Sequence, residues 1–116
     1  VNKFDENYFL FWEEIDLCRK FRERRLSVII DTSVTALHDE GSSSENNLLN
    51  FYIRNYHKEL SPLIYFKNNR FSKFIFIRIF KYLFRAFGYL LILNFKNSIK
   101  NIAKLMANLN YILNFY

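Results

Sequence analysis

The spacing of apolar residues predicts a first helix over residues 13–25. Leu17, Cys18 and Phe21 recur at the three- and four-residue intervals of one helix face. Acidic residues occupy the first turn of this segment and basic residues its last turn, an arrangement that complements the helix dipole. We therefore expect the apolar stripe, with Cys18, to pack in the core while the acidic residues mark the start of the helix.

Two short runs rich in β-branched residues follow this helix. Residues 27–31 read SVIID and residues 33–38 read SVTALH, with a turn between them. Because β-branched side chains fit the pleated surface of a sheet, both runs are predicted strands. The polar run 39–47, DEGSSSENN, is predicted to be a loop.

Helical spacing returns in the second half of the chain. One helix is predicted over residues 48–60, ending before Pro62 because the residue before a proline avoids the α region. A long basic and aromatic helical stretch, 69–95, follows with a bend expected at Gly88, and Asn94 leads into a final helix. The predicted fold class is therefore mixed α/β.

Composition and charge narrow the function. With one cysteine the chain has no internal disulfide, which fits a reducing compartment. The formal net charge is +6, and Glu59 is the only acidic residue from Leu48 to the end. The basic half predicts an anionic partner, either a lipid surface, a nucleic acid or a protein.

Acidic and aromatic residues are interleaved near the start, in FDENYFLFWEEIDL at residues 4–17. Placing carboxylates this close to Phe, Tyr and Trp side chains costs free energy unless positive groups compensate their charge or a function requires them. The acidic members are Asp5, Glu6, Glu13, Glu14 and Asp16. On composition alone, those of the predicted helix are explained as first-turn residues that complement the dipole.

The order of elements resembles a known family. The acidic run, a basic helix, two short strands, a histidine and a Gly/Ser loop together resemble the C-terminal part of family 2 glycosyltransferases, and rhamnosyltransferase-like and galactofuranosyltransferase-like members are the most similar. The resemblance covers roughly residues 3–44 and extends weakly to FYIRN at 51–55. It implies a GT-A type fold, with 1–47 as the end of the catalytic domain and 48–116 as a helical tail.

The resemblance also assigns roles. An inverting transferase needs a carboxylate to take the proton of the acceptor hydroxyl, and Glu14 matches that position. Five other residues are expected to line the acceptor side: Asp5, Glu6, Trp12, Glu13 and Asp16. Asp16 is also expected to hold the helix or the nearby loop by hydrogen bonds, and Trp12 either stacks on a sugar or packs in the core.

The resemblance implies a divalent metal, Mg²⁺ or Mn²⁺, to neutralise the departing nucleotide diphosphate. His38 matches a metal ligand, although a histidine at a strand end is also commonly structural. The other ligands belong to an Asp-x-Asp motif that this sequence lacks, together with the nucleotide-binding half. We therefore expect an incomplete, inactive C-terminal piece. Two positions depart from the family pattern: Arg25 replaces a glycine at the helix end, and Lys20 replaces an arginine.

The basic aromatic stretch 69–95 indicates a membrane surface. Its longest charge-free run, 86–95, is too short to span a bilayer, whereas a cationic stripe beside a broad aromatic face is typical of an interfacial helix. Tyr82 and Tyr89 suit the headgroup level. Packing of this face against the missing half or a partner subunit is the alternative. Nucleic acid is not expected as a partner, because the aromatic residues occupy helical positions rather than exposed strand faces.

Two hypotheses follow from the sequence. The first is the C-terminal segment of a glycosyltransferase that moves a sugar from a nucleotide-sugar donor to a polysaccharide or lipid-linked glycan, at the cytoplasmic face of the cell membrane. The second is a small non-enzymatic protein that associates with membranes or other proteins, in which the acids are a solvated helix end.

Overall fold

The computed structural model describes residues 4–37, 47–67 and 74–113. Within these ranges the chain forms four helices: α1 (Glu13–Glu23), α2 (Leu48–Tyr65), α3 (Ile75–Leu91) and α4 (Phe95–Leu113). Helix α4 packs against both α2 and α3. Ala103 and Ala107 on α4 are fully buried, and their small side chains allow the neighbouring helices to approach closely.

The α/β prediction is wrong, because the described residues contain no strand. The segment 26–37 runs without regular structure, and Ile29 and Ile30 are 84% and 85% exposed. β-Branched residues supply the propensity for a strand, but a stable strand also needs a paired neighbour. Here local bonds close a turn instead, since the backbone N–H and hydroxyl of Ser33 both donate to Asp31.

Helix α1 begins at the predicted residue and ends two residues before the predicted end. Its end is closed by hydrogen bonds from the N–H groups of Arg25 and Leu26 to the carbonyls of Arg22 and Phe21, at 3.0 and 2.9 Å. This pair of bonds is the Schellman motif. Arg25 adopts the left-handed conformation, φ 59°, that the family's glycine would supply. Cys18 is half-buried and carries a free thiol.

We expect Arg25→Gly to stabilise the protein, because glycine adopts positive φ without the Cβ clash of an L-residue. The gain should be about 1 kcal/mol, or about 4 °C in Tm. Thermal unfolding followed by circular dichroism measures it. Arg24→Gly is the matched control, since it removes the same charge at φ −91° and should lower Tm. If both variants move Tm alike, the backbone argument fails.

Helix α2 continues beyond the predicted end. Pro62 lies inside it and the helix reaches Tyr65, although proline removes one backbone hydrogen bond. Tertiary packing compensates, because Leu60 and Leu63 beside Pro62 are buried and the Ser61 hydroxyl donates to the Leu10 carbonyl at 2.7 Å.

The chain reverses between α3 and α4 at residues 92–94, not at Gly88, which lies within α3. Leu93 takes a left-handed conformation, φ 56°. Asn94 then accepts a hydrogen bond from the backbone of Asn97 through its side chain. The start of the final helix after Asn94 is therefore confirmed, and α3 and α4 form an antiparallel hairpin.

A buried carboxylate joins three helices at the centre of the molecule. Glu59 on α2 is 4% exposed. It accepts hydrogen bonds from Arg78 and Tyr82 of α3 and from Asn108 of α4, and Lys104 Nζ lies 4.0 Å away. We call these five residues the Glu59 cluster. Burial, followed by the charge of Glu59, raises the pKa of Tyr82 to about 12.

The Glu59 cluster changes two roles predicted from the sequence. The cationic stripe of the stretch 69–95, which includes Arg78, and Tyr82 are predicted from the sequence to face lipid headgroups, but Arg78 and Tyr82 both donate hydrogen bonds to the buried Glu59. The buried charge of Arg78 is compensated by Glu59, the only Asp or Glu side chain from Leu48 onward.

Candidate functional site

The segment that leads into α1 is anchored on α2. The Trp12 ring lies 5.1 Å from the ring of Tyr65 and 5.4 Å from that of Phe66. Phe9 contacts His57 at 4.9 Å, and burial lowers the pKa of that histidine. Trp12 thus takes the core-packing alternative, and its contacts fix the position at which α1 begins.

The backbone at this point adopts a rarely populated conformation. Phe11 and Trp12 have φ values of 65° and 72°, and Trp12 is the N-cap residue of α1 without a side-chain cap. Left-handed conformations cost energy for aromatic residues and occur often at functional sites. The strained pair directly precedes Glu13 and Glu14.

Three ionic contacts hold the acidic segment in place. Asp16 is 1% exposed and contacts Arg19 and Lys20, each at 2.5 Å. Lys20 also reaches Asp5 at 3.2 Å. These four residues, which we call the Asp16 frame, tie the segment ahead of α1 to the helix itself.

The Asp16 frame shifts the ionisation of its members. The hydrogen bond to Asp16 raises the pKa of Lys20 and of Arg19. The backbone N–H of Asn7, and then Lys20, lower the pKa of Asp5. Burial, followed by the negative charge of Asp16, raises the pKa of nearby Tyr8 to about 12. These directions favour the charged forms of Asp5, Arg19 and Lys20 at neutral pH.

Glu13 and Glu14 occupy the first turn of α1 in different environments. Glu14 is exposed to solvent. Glu13 is half-buried, and its Oε2 atom is buried with no hydrogen-bond partner among the described residues. Buried carboxylate oxygens are nearly always hydrogen-bonded, so such an atom calls for an explanation.

The structure brings together most of the predicted site residues. Asp5 and Asp16 belong to one ion-paired frame, Trp12 anchors it, and Glu13 and Glu14 follow directly. Glu6 is exposed in the same segment. His38 lies outside the described residues, so its convergence with Glu14 stays a prediction.

A metal site is not assembled by the described part of the chain. In residues 4–37, 47–67 and 74–113, no three His, Cys, Asp or Glu side chains converge. These residues alone therefore do not fit a bound Mg²⁺ or Mn²⁺, and the predicted metal depends on His38 and on ligands from elsewhere.

Sequence reasoning missed the Glu59 cluster. The available signal was the position of Glu59 as the only acid among eleven basic residues from Leu48 onward. A lone carboxylate in such surroundings predicts an ion pair, but the sequence does not reveal which cations reach it.

Comparisons with known proteins returned no match: no family model fits the chain, and neither a curated protein nor a solved structure is significantly similar to it. The glycosyltransferase resemblance therefore rests on the residues quoted above.

Proposed function

We propose that this chain is the C-terminal segment of an inverting family 2 glycosyltransferase, in which Glu14 is the general base. The observation that carries the proposal is an exposed Glu14 beside Glu13, whose Oε2 atom is buried and has no hydrogen-bond partner among the residues that the structure describes. Both sit on a helix start that the Asp16 frame and Trp12 hold in place. A catalytic carboxylate needs this combination of access and fixed position.

The proposed chemistry assigns each carboxylate one task. An acceptor hydroxyl donates its hydrogen bond to the exposed Glu14, and the half-buried Glu13 beside it lines the same acceptor side. As the acceptor oxygen attacks the anomeric carbon of the donor, Glu14 takes its proton and the bond to the nucleoside diphosphate breaks. Asp5 and Glu6 complete the acceptor side. The predicted acceptor role of Asp16 is not kept, because this residue is 1% exposed and holds the helix start through Arg19 and Lys20.

The donor is a nucleotide sugar, and the acceptor is a polysaccharide or lipid-linked glycan. Neutralising the diphosphate requires a divalent cation, Mg²⁺ or Mn²⁺. The proposal places nucleotide binding and the ligands other than His38 in sequence upstream of Val1. Reading the coding sequence upstream tests it: an open frame with an Asp-x-Asp motif supports the enzyme, and a start codon at this point contradicts it.

We further propose that the protein is peripheral at the cytoplasmic face of the membrane. The buried residues of helix α3 are Ile75, Tyr82 and Ala86, and its aromatic side faces outward. Phe80, Phe84 and Phe87 are 58%, 72% and 60% exposed. None of the helices in the described ranges is long and apolar enough to cross a bilayer. An exposed aromatic face beside basic residues favours a helix that lies in the interface.

Phe84→Ser is expected to weaken binding to anionic vesicles about tenfold, because burial of a phenylalanine contributes roughly 1.5–3 kcal/mol. Vesicle flotation at low salt measures this loss, and wild-type binding should itself weaken at high salt. Phe4→Ser is the control, since Phe4 is 54% exposed but lies ahead of α1. Wild-type binding by Phe84→Ser would favour protein packing on this face instead.

The second candidate is a non-enzymatic protein that associates with membranes or other proteins. The exposed aromatic face of α3 also favours this candidate, because such a face binds a membrane or another protein without a catalytic site. Vesicle binding without any turnover by the complete reading frame would support this candidate over the enzyme.

A further inference from the structure

A basic groove lies between α3 and α4, on the hairpin that these helices form. It has a volume of about 200 Å³. Lys81 and Arg85, one turn apart on α3, face Lys100 and Lys104, one turn apart on α4. The two pairs occupy adjacent levels because the helices are antiparallel. We call these four side chains and the space between them the α3–α4 groove.

The four cations of the groove are held close together. The ammonium groups of Lys81 and Lys104 lie 4.6 and 5.5 Å from the centre of the Tyr82 ring. Burial lowers the pKa of Lys104, and the charges of Lys100 and Lys81 add to that effect against the opposing charge of Glu59. Cations in such proximity repel one another, so an anion between them is electrostatically stabilised.

Among the described residues that line this groove none is acidic, and those other than the four cations are tyrosine and asparagine. The nearest carboxylate, Glu59, lies 4.0 Å from Lys104 and is already engaged by Arg78, Tyr82 and Asn108. The positive charge of Lys81, Arg85 and Lys100 is therefore not neutralised from within the groove.

We propose that the α3–α4 groove binds a phosphomonoester group. A phosphate offers several charged acceptor oxygens to the lysine and arginine donors on both helices, and neutral donors from Asn97 and Tyr89 complete the lining. The space corresponds to roughly six water molecules, which suffices for one phosphate group. This inference does not depend on the glycosyltransferase proposal.

A lipid headgroup is the source that the surroundings favour. With 3.6 residues per turn, Phe84 lies about 60° from Lys81 around the axis of α3, so the exposed aromatic face adjoins the groove. A helix that inserts this face at a membrane surface brings the groove to the level of the lipid phosphates. A soluble phosphate ester shares the same chemistry and is distinguished by experiment.

The test compares vesicles of equal surface charge that contain either phosphatidate, a phosphomonoester, or phosphatidylserine. We expect the chain to bind phosphatidate vesicles about tenfold more tightly, because charge-assisted hydrogen bonds add to the general attraction. Lys81→Gln/Lys100→Gln should abolish this preference. Lys58→Gln/Lys96→Gln removes the same charge from two lysines that contact Phe11 and Phe51 outside the groove, and should retain it.

A second experiment tests a ligand in solution, inorganic pyrophosphate. Its binding is measured by isothermal titration calorimetry, with sulfate at equal ionic strength as the comparison. Pyrophosphate binding without any phosphatidate preference, lost in Lys81→Gln/Lys100→Gln but not in the control pair, would assign the groove to a soluble ester. The proposal is overturned if neither probe is preferred, or if the two double variants lose binding equally, since the attraction would then be diffuse.

Discussion

Glu14→Gln in the complete enzyme is expected to lower sugar transfer by about 10²–10⁴-fold, the usual contribution of a general base. Glutamine keeps the shape of the side chain but cannot take the acceptor proton. Donor binding should stay unchanged, because the role proposed for Glu14 is at the acceptor and not at the nucleotide. Release of nucleoside diphosphate, measured with the matching acceptor, reports the loss.

Glu23→Gln is the matched control for this experiment, since it makes the same substitution at the opposite end of α1, where Glu23 is exposed. Its transfer rate should equal that of the wild type. In the pH–rate profile, the limb that reports deprotonation of the base should disappear only in Glu14→Gln. Wild-type turnover by Glu14→Gln would remove this residue from the mechanism.

Glu59→Ala is expected to lower the free energy of unfolding by about 3–5 kcal/mol, the cost of breaking a buried ion pair. The substitution leaves Arg78 and Lys104 near the centre of three helices without their carboxylate. Since small domains are stable by about 5–15 kcal/mol in total, this is a large share. Urea unfolding followed by circular dichroism measures the loss.

Two further variants distinguish the loss of the ion pair from nonspecific destabilisation of the fold. Glu59→Leu/Arg78→Met replaces both charges with apolar groups and should recover much of the loss, because apolar replacements of buried pairs are often tolerated. Glu23→Ala removes an exposed acid and should change stability by less than about 0.5 kcal/mol. A loss below about 1 kcal/mol in Glu59→Ala would show that Glu59 is not the centre of the fold.

The candidate site was predictable only in part. The acidic run identified Glu13, Glu14 and Asp16 by residue type and order, because helix-start acids are visible in a sequence. Their different environments were not visible. Asp16 is buried by its contacts with Arg19 and Lys20, whereas Glu14 on the same turn is exposed, and which face of a helix is covered depends on what packs beside it.

The starts of α1, α2 and α4 could be read from the amino-acid sequence, because apolar periodicity, helix-start acids and the cap at Asn94 act over a few residues. The sequence did not determine that the β-branched segment 26–37 would remain unpaired, since a strand depends on a partner. Three further features depend on packing between helices. Glu59 binds cations from two other helices, and α2 continues through Pro62. Lys81 and Arg85 face Lys100 and Lys104. Each of these outcomes arises from contacts between residues distant in sequence, whose pairing no local pattern encodes.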